Sequence, residues 1–293
     1  MSTSPPPPGS QAPAAAGRTF LVTGGNAGIG QATATALAQA GGRVVIACRD
    51  PARGQAAVTA IGAASGSGEV SLLRLDLSSL DSVRACAGAF LARDEPLHVL
   101  VNNAGIAGRR GVTADGFELT FGVNHLGHFA LTMLLLDRLT ASGPGARVVN
   151  VSSEVHYRAP GIDFGKLRRK TASLLGLREY AVSKLCNVLF AQELARRLGG
   201  PGAGVTTYAL HPGVVASEIW RRVPWPARAL MTRNMLTNQE GAATSLHCAT
   251  SPAAGAESGL FYDKCQVVAP SPVATGQLAE RLWERSAEWT GVG

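Results

Sequence analysis

The sequence lacks the features that mark several large classes of protein. It contains no run of about 18 or more apolar residues, so it predicts no transmembrane helix. Only 16% of its 293 residues are charged and 5% are aromatic, but 46% are hydrophobic, which excludes wholesale disorder and allows a sizeable core. The five cysteines are odd in number and widely spaced. We therefore expect no disulfide framework and no metal site, and we expect reduced thiols in the cytoplasm.

Positive charge is in excess but is not concentrated. The chain has 27 Lys and Arg against 20 Asp and Glu, a net charge of +7. The arginines are scattered as singles and pairs, and the densest basic run, residues 166–170, contains no aromatic ring. Nucleic-acid-binding surfaces gather cations into a stripe or patch, so we expect no nucleic-acid partner.

The first 17 residues differ in composition from the rest. They are rich in proline and alanine, and they have neither the basic start nor the apolar centre of a secretory signal. We expect a disordered tail over residues 1–17. No internal repeat or linker divides residues 18–293, so the sequence predicts one domain there.

Short apolar runs alternate with helical patterns over this domain. Predicted strands cover residues 18–23, 43–48, 70–75, 99–101, 147–151 and 205–210, with an edge strand at 260–262. A long apolar helix is predicted over residues 117–139, and another helix over residues 177–198. Continuous apolar strands separated by helices are typical of a parallel sheet covered on both faces. With right-handed crossovers, this order predicts an α/β fold with a doubly wound parallel sheet.

A glycine-rich turn joins the first predicted strand to the first helix. Glycines at such a turn let the backbone approach a pyrophosphate, and the helix N-terminus offers free N–H groups and a positive dipole. The spacing G-x-x-x-G-x-G differs from the general G-x-G-x-x-G fingerprint, so the position between strand and helix is what supports the prediction. Predicted dinucleotide contacts here are Thr23, Gly24, Asn26, Gly28, Ile29 and Gly30.

The end of the second strand bears on the choice of dinucleotide. An acid at this point accepts from the 2′-hydroxyl of NAD, whereas an arginine accommodates the 2′-phosphate of NADP. The strand ends at Cys48 and Arg49 follows at once, so the sequence favours NADP, although Asp50 could still reach the ribose. Further predicted cofactor contacts follow the third and fourth strands, namely Asp76, Asn103, Ala104 and Gly105.

The sequence Tyr180-Ala181-Val182-Ser183-Lys184 carries the strongest chemical signal. Tyr180 and Lys184 lie at i and i+4, on one face of a predicted helix. A free phenol titrates near ~10, and a nearby ammonium would lower that value. A serine after the fifth strand, Ser152 or Ser153, could hydrogen-bond a carbonyl oxygen beside them. Together these groups predict a proton-transfer site next to a hydride carrier.

These motifs, in this order, resemble the classical short-chain dehydrogenase/reductase family over roughly residues 18–289. Within that family the chain is most similar to the retinol dehydrogenase branch. The resemblance rests on the glycine-rich turn, the Tyr180–Lys184 motif and several further stretches. Those stretches are Ala47-Cys48-Arg49-Asp50, Thr113-Ala114-Asp115-Gly116-Phe117-Glu118, Val123-Asn124-His125-Leu126-Gly127-His128-Phe129 and His211-Pro212-Gly213.

The resemblance implies a Rossmann-type fold and a role for each matching residue. Tyr180 would be the acid/base, and Lys184 would hold the nicotinamide ribose and lower the pKa of the tyrosine. Ser153 would orient the substrate, and Asn124 would support a water relay to Lys184. Additional contacts on the nicotinamide side would come from Pro212, Gly213 and Ser217.

The function predicted in this way is NADP-dependent interconversion of an apolar aldehyde or ketone, retinal-like or otherwise lipophilic, with its alcohol. The segment 217–238 is expected to form a substrate lid. By resemblance, the helix that carries Tyr180 could pack in a homodimer. The alternative is a non-catalytic dinucleotide-binding sensor or scaffold, which would keep the fold without turnover.

Overall fold

The computed structural model describes residues 15–200, 202, 204–214 and 236–293. The tail predicted over residues 1–17 is therefore described only at residues 15–17. The predicted lid, residues 217–238, is described only at residues 236–238, and Ser217 lies outside the described residues.

One sheet runs through the middle of the described chain, with the strand order β3-β2-β1-β4-β5-β6-β7-β8. Strands β1 to β7 are parallel to their neighbours, and β8 is antiparallel to β7. The strands are β1 Thr19–Thr23, β2 Arg43–Cys48, β3 Val70–Arg74, β4 Val99–Asn102, β5 Ala146–Val151, β6 Val205–His211, β7 Leu260–Asp263 and β8 Gln266–Val267.

Helices connect the parallel strands and cover both faces of the sheet. They are α1 Gly28–Gln39, α2 Pro51–Ser65, α3 Leu80–Leu91, α4 Leu119–Phe121, α5 Gly127–Ala141, α6 Leu177–Leu198, α7 Asn238–Thr250 and α8 Gly276–Thr290. A π-helical turn, Gly122–Leu126, joins α4 to α5. The predicted doubly wound α/β fold is confirmed.

The edge of the sheet differs from the sequence prediction. The strand predicted at residues 260–262 is β7, but β8 pairs with it and forms the edge. Lys264 and Cys265 adopt left-handed φ angles of 49° and 63°, which turn the chain back on itself within two residues. A two-residue strand after so short a turn is too brief to show a periodic pattern in the sequence.

Alternate residues along β1 pack into two separate hydrophobic cores, one on each face of the sheet. Leu21 of β1 packs on the face covered by α3 and α5, with Phe129 and Trp283. Phe20, its neighbour in the same strand, packs on the opposite face with residues of α1 and α2. Burial on both faces is why these strands read as continuous apolar runs in the sequence.

The stretch Leu119–Ala141 is the one candidate membrane span among the described residues. Its length and its mean hydropathy of 1.3 meet the requirement for crossing a membrane, although the sequence predicted no such segment. In the fold, 72% of its most apolar window of 18 residues is buried inside the protein. Its apolar composition therefore matches a helix of the core, where α5 packs against α3 and the sheet.

Candidate active site

The glycine-rich turn leaves an open helix N-terminus at the carboxyl edge of the sheet. A Cβ on Gly30 would lie 2.4 Å from both Asn103 Nδ2 and the Gly24 carbonyl oxygen, so no side chain fits there. Ala27 caps α1 without a side-chain hydrogen bond, and no acidic residue lies in the first turn. The first N–H groups of α1 are therefore not capped by a side chain, and such groups suit the pyrophosphate of a dinucleotide.

Thr23 ties this turn to the end of the neighbouring strand β4. Its hydroxyl accepts from the backbone N–H groups of Asn103 (2.9 Å) and Ala104 (3.0 Å). His128 Nδ1 lies 3.0 Å from the Asn124 carbonyl oxygen, which can only accept, so Nδ1 carries the proton. His128 Nε2 then accepts from the Thr23 hydroxyl at 2.9 Å. Thr23, predicted as a cofactor contact, thus has its hydroxyl committed to shaping the site.

His128 is the residue of this network that the sequence analysis did not single out. Burial lowers its pKa to about 4, which keeps the ring neutral and fits the tautomer required by its two partners. The signal for it was available, because His128 lies four residues after Asn124 in one of the stretches that carry the resemblance described above. The contact with Thr23, however, spans 105 residues of sequence.

Arg49 and Asp50, at the end of β2, have different surroundings. Asp50 Oδ1 accepts from the N–H groups of Ala52 (3.0 Å) and Arg53 (3.1 Å), so this carboxylate caps α2. Arg49 is exposed beside it. The carboxylate left open as a ribose ligand is therefore occupied by helix capping, whereas the guanidinium is accessible.

The remaining predicted cofactor residues line the same edge. Asp76 Oδ1 accepts from the N–H (3.0 Å) and the hydroxyl (2.6 Å) of Ser78, which fixes the carboxylate after β3. The Asn103 amide donates to the Thr23 carbonyl oxygen at 2.8 Å, so it braces the turn. Gly105 is exposed, and a Cβ there would lie 3.5 Å from Lys184 Nζ and 3.4 Å from Asn124 Oδ1. Because glycine has no side chain, the cleft stays open at this position.

Asn124 sits in the π-helical turn and is buried. Its Oδ1 accepts from the Ile106 N–H at 2.8 Å, and its Nδ2 donates to the Ile106 carbonyl (3.0 Å) and to Ser183 Oγ (3.0 Å). The side chain therefore locks the loop after β4 onto α6. Ser183, which the sequence analysis did not assign, donates in turn to the Tyr180 carbonyl at 2.8 Å.

The two adjacent serines after β5 have different surroundings. Ser152 is buried, and its hydroxyl donates to the Lys184 carbonyl oxygen at 2.7 Å, so it anchors α6. The Ser153 side chain lies near enough to Tyr180 to oppose the rise in the pKa of that phenol, and it caps the short 3₁₀ turn Glu154–Arg158. The structure brings Ser153, not Ser152, together with the tyrosine.

Tyr180 and Lys184 lie one turn apart on α6, with Lys184 Nζ 5.7 Å from the centre of the tyrosine ring. Lys184 is buried, and its Nζ donates to the Val151 carbonyl oxygen at 2.9 Å. Asn187, also missed by the sequence analysis, donates to the same oxygen at 3.1 Å. The lysine is thereby held at the end of β5, close under Gly105.

The pKa values of this pair differ from the sequence prediction. Burial lowers the pKa of Lys184 to about 8. Burial raises the pKa of Tyr180, and the Ser153 side chain only partly opposes that rise. The predicted lowering of the pKa of Tyr180 by Lys184 is therefore not found in the chain alone, because desolvation by burial is the largest influence on this phenol.

The segment after β6 completes the described part of the cleft. Pro212 and Gly213 follow β6 directly, and Gly213 has a left-handed φ of 85°. A Cβ on Gly213 would lie 2.4 Å from Leu236 Cδ1. The Leu236 N–H donates to the Val214 carbonyl oxygen at 2.9 Å, so residues 214 and 236 meet at this edge.

Comparisons with known proteins agree with this geometry. A family model described as short chain dehydrogenase matches residues 18–164. Human retinol dehydrogenase 12 is 46% identical over 283 residues, covering 94% of this chain and 87% of that protein. Human dehydrogenase/reductase SDR family member 13 is 45% identical, covering 94% of this chain and 74% of that protein.

Solved structures give the same assignment. An uncharacterized protein from Mycobacterium paratuberculosis superposes with a TM-score of 0.75 at 34% identity, covering 94% of each chain. The Pseudomonas aeruginosa RhlG/NADP active-site complex superposes with a TM-score of 0.69 at 27% identity, covering 90% of this chain and 99% of that one. With the shared motifs and the shared fold, the chain belongs to the short-chain dehydrogenase/reductase family of oxidoreductases, in the branch of the retinol dehydrogenases.

Proposed function

We propose that this enzyme is an NADP-dependent oxidoreductase that interconverts an apolar aldehyde or ketone with its alcohol. One observation carries the proposal. Ser153, Tyr180 and Lys184 converge at the carboxyl edge of the sheet, beside an α1 N-terminus that has no capping side chain. Anion-binding N–H groups next to an acid/base pair are what dinucleotide-dependent carbonyl chemistry requires.

NADP is the dinucleotide that the residues at the end of β2 favour. Arg49 is exposed where the 2′-phosphate of the ribose would lie, and a guanidinium is suited to phosphate. Asp50, the acid that would select NAD, is engaged in capping α2. The similar RhlG structure is a complex with NADP, which supports the same choice.

Tyr180, Ser153 and Lys184 have different roles toward the substrate and the cofactor. A bound nicotinamide dinucleotide supplies or accepts the hydride. In the reductive direction the Tyr180 hydroxyl donates its proton to the carbonyl oxygen, and Ser153 donates a hydrogen bond that polarises the same oxygen. Lys184 Nζ gives one N–H to Val151 and lies close under Gly105, so its remaining N–H groups can hold the nicotinamide ribose.

A lipophilic carbonyl compound is the substrate class that we propose. Two of the similar proteins, at 46% and 45% identity, are named retinol dehydrogenases, and retinol is an apolar alcohol. For the compartment we propose the cytoplasm. All five cysteines are free, which suits a reducing environment.

The test is a substrate screen on the purified chain with a matched pair of variants. NADPH oxidation is followed with a panel of apolar aldehydes and ketones, with NADH in parallel. Tyr180→Phe keeps the ring but removes the proton, so kcat should fall by ~10²-fold or more. Tyr262→Phe makes the same change at a hydroxyl that donates to Glu257. Tyr262 lies in the core with Phe20, away from the proposed cleft, so this variant should keep the wild-type rate.

The competing hypothesis, a sensor or scaffold without turnover, predicts a different result. It would be favoured if the chain bound NADPH tightly and yet oxidised it with no member of the panel. Near-normal turnover by Tyr180→Phe would instead contradict the proton-transfer role of the tyrosine.

A further inference from the structure

His156 is a buried histidine that no step of the proposed reaction uses. It lies in the 3₁₀ turn Glu154–Arg158, which begins directly after Ser153, and none of its surface is exposed. A buried imidazole needs hydrogen-bond partners for its two ring nitrogens, and those partners fix which nitrogen carries a proton. The contacts of this ring therefore show what it does so close to Ser153.

Both ring nitrogens of His156 have backbone partners. Nδ1 lies 2.7 Å from the Ser153 carbonyl oxygen, which can only accept, so Nδ1 carries a proton. Nε2 lies 3.1 Å from the backbone nitrogen of Ser271, whose N–H can only donate, so Nε2 carries none. The ring is therefore neutral and in one tautomer. It connects Ser153 to a residue that follows His156 by 115 positions, and we call this pair of contacts the His156 bridge.

Ser153 is held mainly by the residues of this turn. Its carbonyl oxygen accepts from the His156 ring at 2.7 Å and from the His156 backbone N–H at 3.1 Å, which uses both lone pairs of that oxygen. The Ser153 hydroxyl accepts a longer hydrogen bond, 3.4 Å, from the Val155 N–H. We therefore expect the direction of the Ser153 side chain to depend on the position of the His156 ring.

The other end of the His156 bridge lies in a well-packed part of the fold. Ser271, in the segment between β8 and α8, is buried. The His156 ring packs against Phe261 of β7, with the ring centres 4.6 Å apart. The next residue, Tyr157, donates from its hydroxyl to the Ala269 carbonyl oxygen at 2.6 Å. The turn after Ser153 is thus attached to this segment at two successive residues, one of them buried.

We propose that His156 is a positioning residue of the reaction, because its neutral ring holds Ser153 in place beside Tyr180. This inference rests on the proposed function, in which Ser153 polarises the carbonyl oxygen. Protonation of Nε2 would set an N–H against the Ser271 N–H, and two donors cannot share a hydrogen bond. The His156 bridge then breaks, so the inference includes a loss of turnover at low pH.

The surroundings of His156 keep its ring neutral near pH 7. Burial lowers its pKa, the hydrogen bond to the Ser153 carbonyl opposes this effect, and His211 of β6 lowers the pKa further. An exposed histidine titrates near ~6.5, so the bridge is intact at neutral pH and breaks below that range. Other titratable or charged groups around the two histidines are Tyr157, against the His156 ring, and Glu154, Asp263, Lys264 and Lys184, around His211.

The pH dependence of kcat tests the inference in the full chain. Reduction of an aldehyde that the wild type accepts is followed with saturating NADPH between about pH 5 and pH 8. Below the pKa of His156 the wild-type kcat should fall about tenfold per pH unit, because one proton breaks the bridge. His156→Asn and His156→Gln should both lack this fall, since neither amide titrates in this range.

The same two variants separate the two contacts of the bridge. The amide nitrogen of Asn reaches about as far as Nδ1, so it can still donate to the Ser153 carbonyl. The amide of Gln reaches about as far as Nε2, so it can accept from Ser271 but loses Ser153. At pH ~7.5 kcat should fall about tenfold or more in His156→Gln and less in His156→Asn. The KM for NADPH should stay unchanged in both variants.

The control variants remove comparable contacts elsewhere. His98 Nδ1 accepts from the Thr19 N–H at 2.9 Å, where β1 begins, at the edge of the sheet opposite the cleft. His98→Asn makes the same change there and should keep the wild-type pH profile. Tyr157→Phe removes the neighbouring attachment to Ala269 and should keep the fall of kcat at low pH, because His156 is still present. The NADPH-binding stoichiometry of each preparation counts the folded protein, so rates are compared per folded molecule.

NMR of the ring nitrogens tests the His156 bridge without turnover. In ¹⁵N-histidine-labelled wild type, the signals that disappear in His156→Asn belong to this ring. They should show the neutral tautomer with its proton on Nδ1, and they should titrate at the midpoint of the fall in kcat. The tautomer with its proton on Nε2 would overturn the inference.

The kinetic outcomes distinguish this inference from the proposed function. If Ser153→Ala impaired an active wild type but the His156 variants kept its kcat and its pH profile, only the inference would be overturned. More turnover in His156→Gln than in His156→Asn would also overturn it, because the contact with Ser153 would then not be the important one. A wild type that reduced no carbonyl compound would overturn the proposed function, and with it the role given to His156.

Discussion

Arg49 and Asp50 adjoin at the carboxyl end of β2 and take up different tasks. Because Asp50 is used to cap α2, cofactor discrimination depends on Arg49. Arg49→Gln removes one charge-assisted phosphate contact, worth ~1.5–3 kcal/mol, so the KM for NADPH should rise roughly 10- to 150-fold. The KM for NADH, which has no 2′-phosphate, should change little. Steady-state kinetics with both cofactors measures the difference.

Arg43→Gln is the control for this prediction. Arg43 begins the same strand, at the opposite end, and pairs there with Glu69 at 2.6 Å. Its loss should leave both KM values as in the wild type. If Arg49→Gln raised the KM values for NADPH and NADH equally, the Arg49 guanidinium would not be the group that binds the 2′-phosphate.

Lys184 links the cleft to the pH dependence of stability. Its pKa is about 8 in the fold, against about 10.4 for an exposed lysine in the unfolded chain. At a pH between these two pKa values, the lysine is protonated in the unfolded chain but neutral in the folded chain. This group therefore makes the free energy of unfolding rise with pH. Relative to Lys184→Met, the wild type should gain on the order of 1–3 kcal/mol in unfolding free energy from pH 8 to pH 10.5.

Urea denaturation of both proteins across this pH range measures that difference. Titrating groups that lie far from Lys184 are shared by the two proteins and cancel in the comparison. A difference that stayed constant, or that fell with rising pH, would mean that the lysine remains protonated in the fold.

At the scale of elements, the sequence predicted those helices and strands whose bounds are set by neighbouring residues. The bounds of β2 and α6 are those expected, because each is an unbroken pattern between clear stop signals. The start of α2 also follows from local chemistry, since Asp50 caps it and Pro51 occupies its first position. Most other predicted ends differ from the structure by one or two residues.

Features that depend on distant residues were not predictable in this way. The π-helical turn that contains Asn124 has the composition of an ordinary helix, and its side-chain bonds run to the loop after β4 and to α6. The Thr23–His128 hydrogen bond and the anchoring role of Ser152 likewise exist only after the strands align. The motif residues were therefore found from sequence, whereas the network that holds them was not.

At the scale of the whole molecule, α8 closes one side of the fold. Arg197 of α6 stacks over Trp283 of α8 at 4.7 Å, and Phe190 of α6 lies 5.9 Å from the same indole. Most of α6 is buried within the chain. The homodimer suggested for this helix would have to use a face that α8 already covers, so we expect no dimer through α6.

Trp283 is the residue on which that closure depends. Its indole packs edge-on against Phe129 at 5.1 Å, and only 6% of the residue is exposed. Trp283→Ala should lower the unfolding free energy by about 3–5 kcal/mol, because it removes a large buried ring and leaves a cavity between α5, α6 and α8. Glu284→Ala, at the exposed neighbouring position of α8, should stay within about 0.5 kcal/mol of the wild type in the same urea titration. Equal, small losses in the two variants would show that α8 rests on the surface without stabilising the fold, and would leave the α6 face available to a second chain.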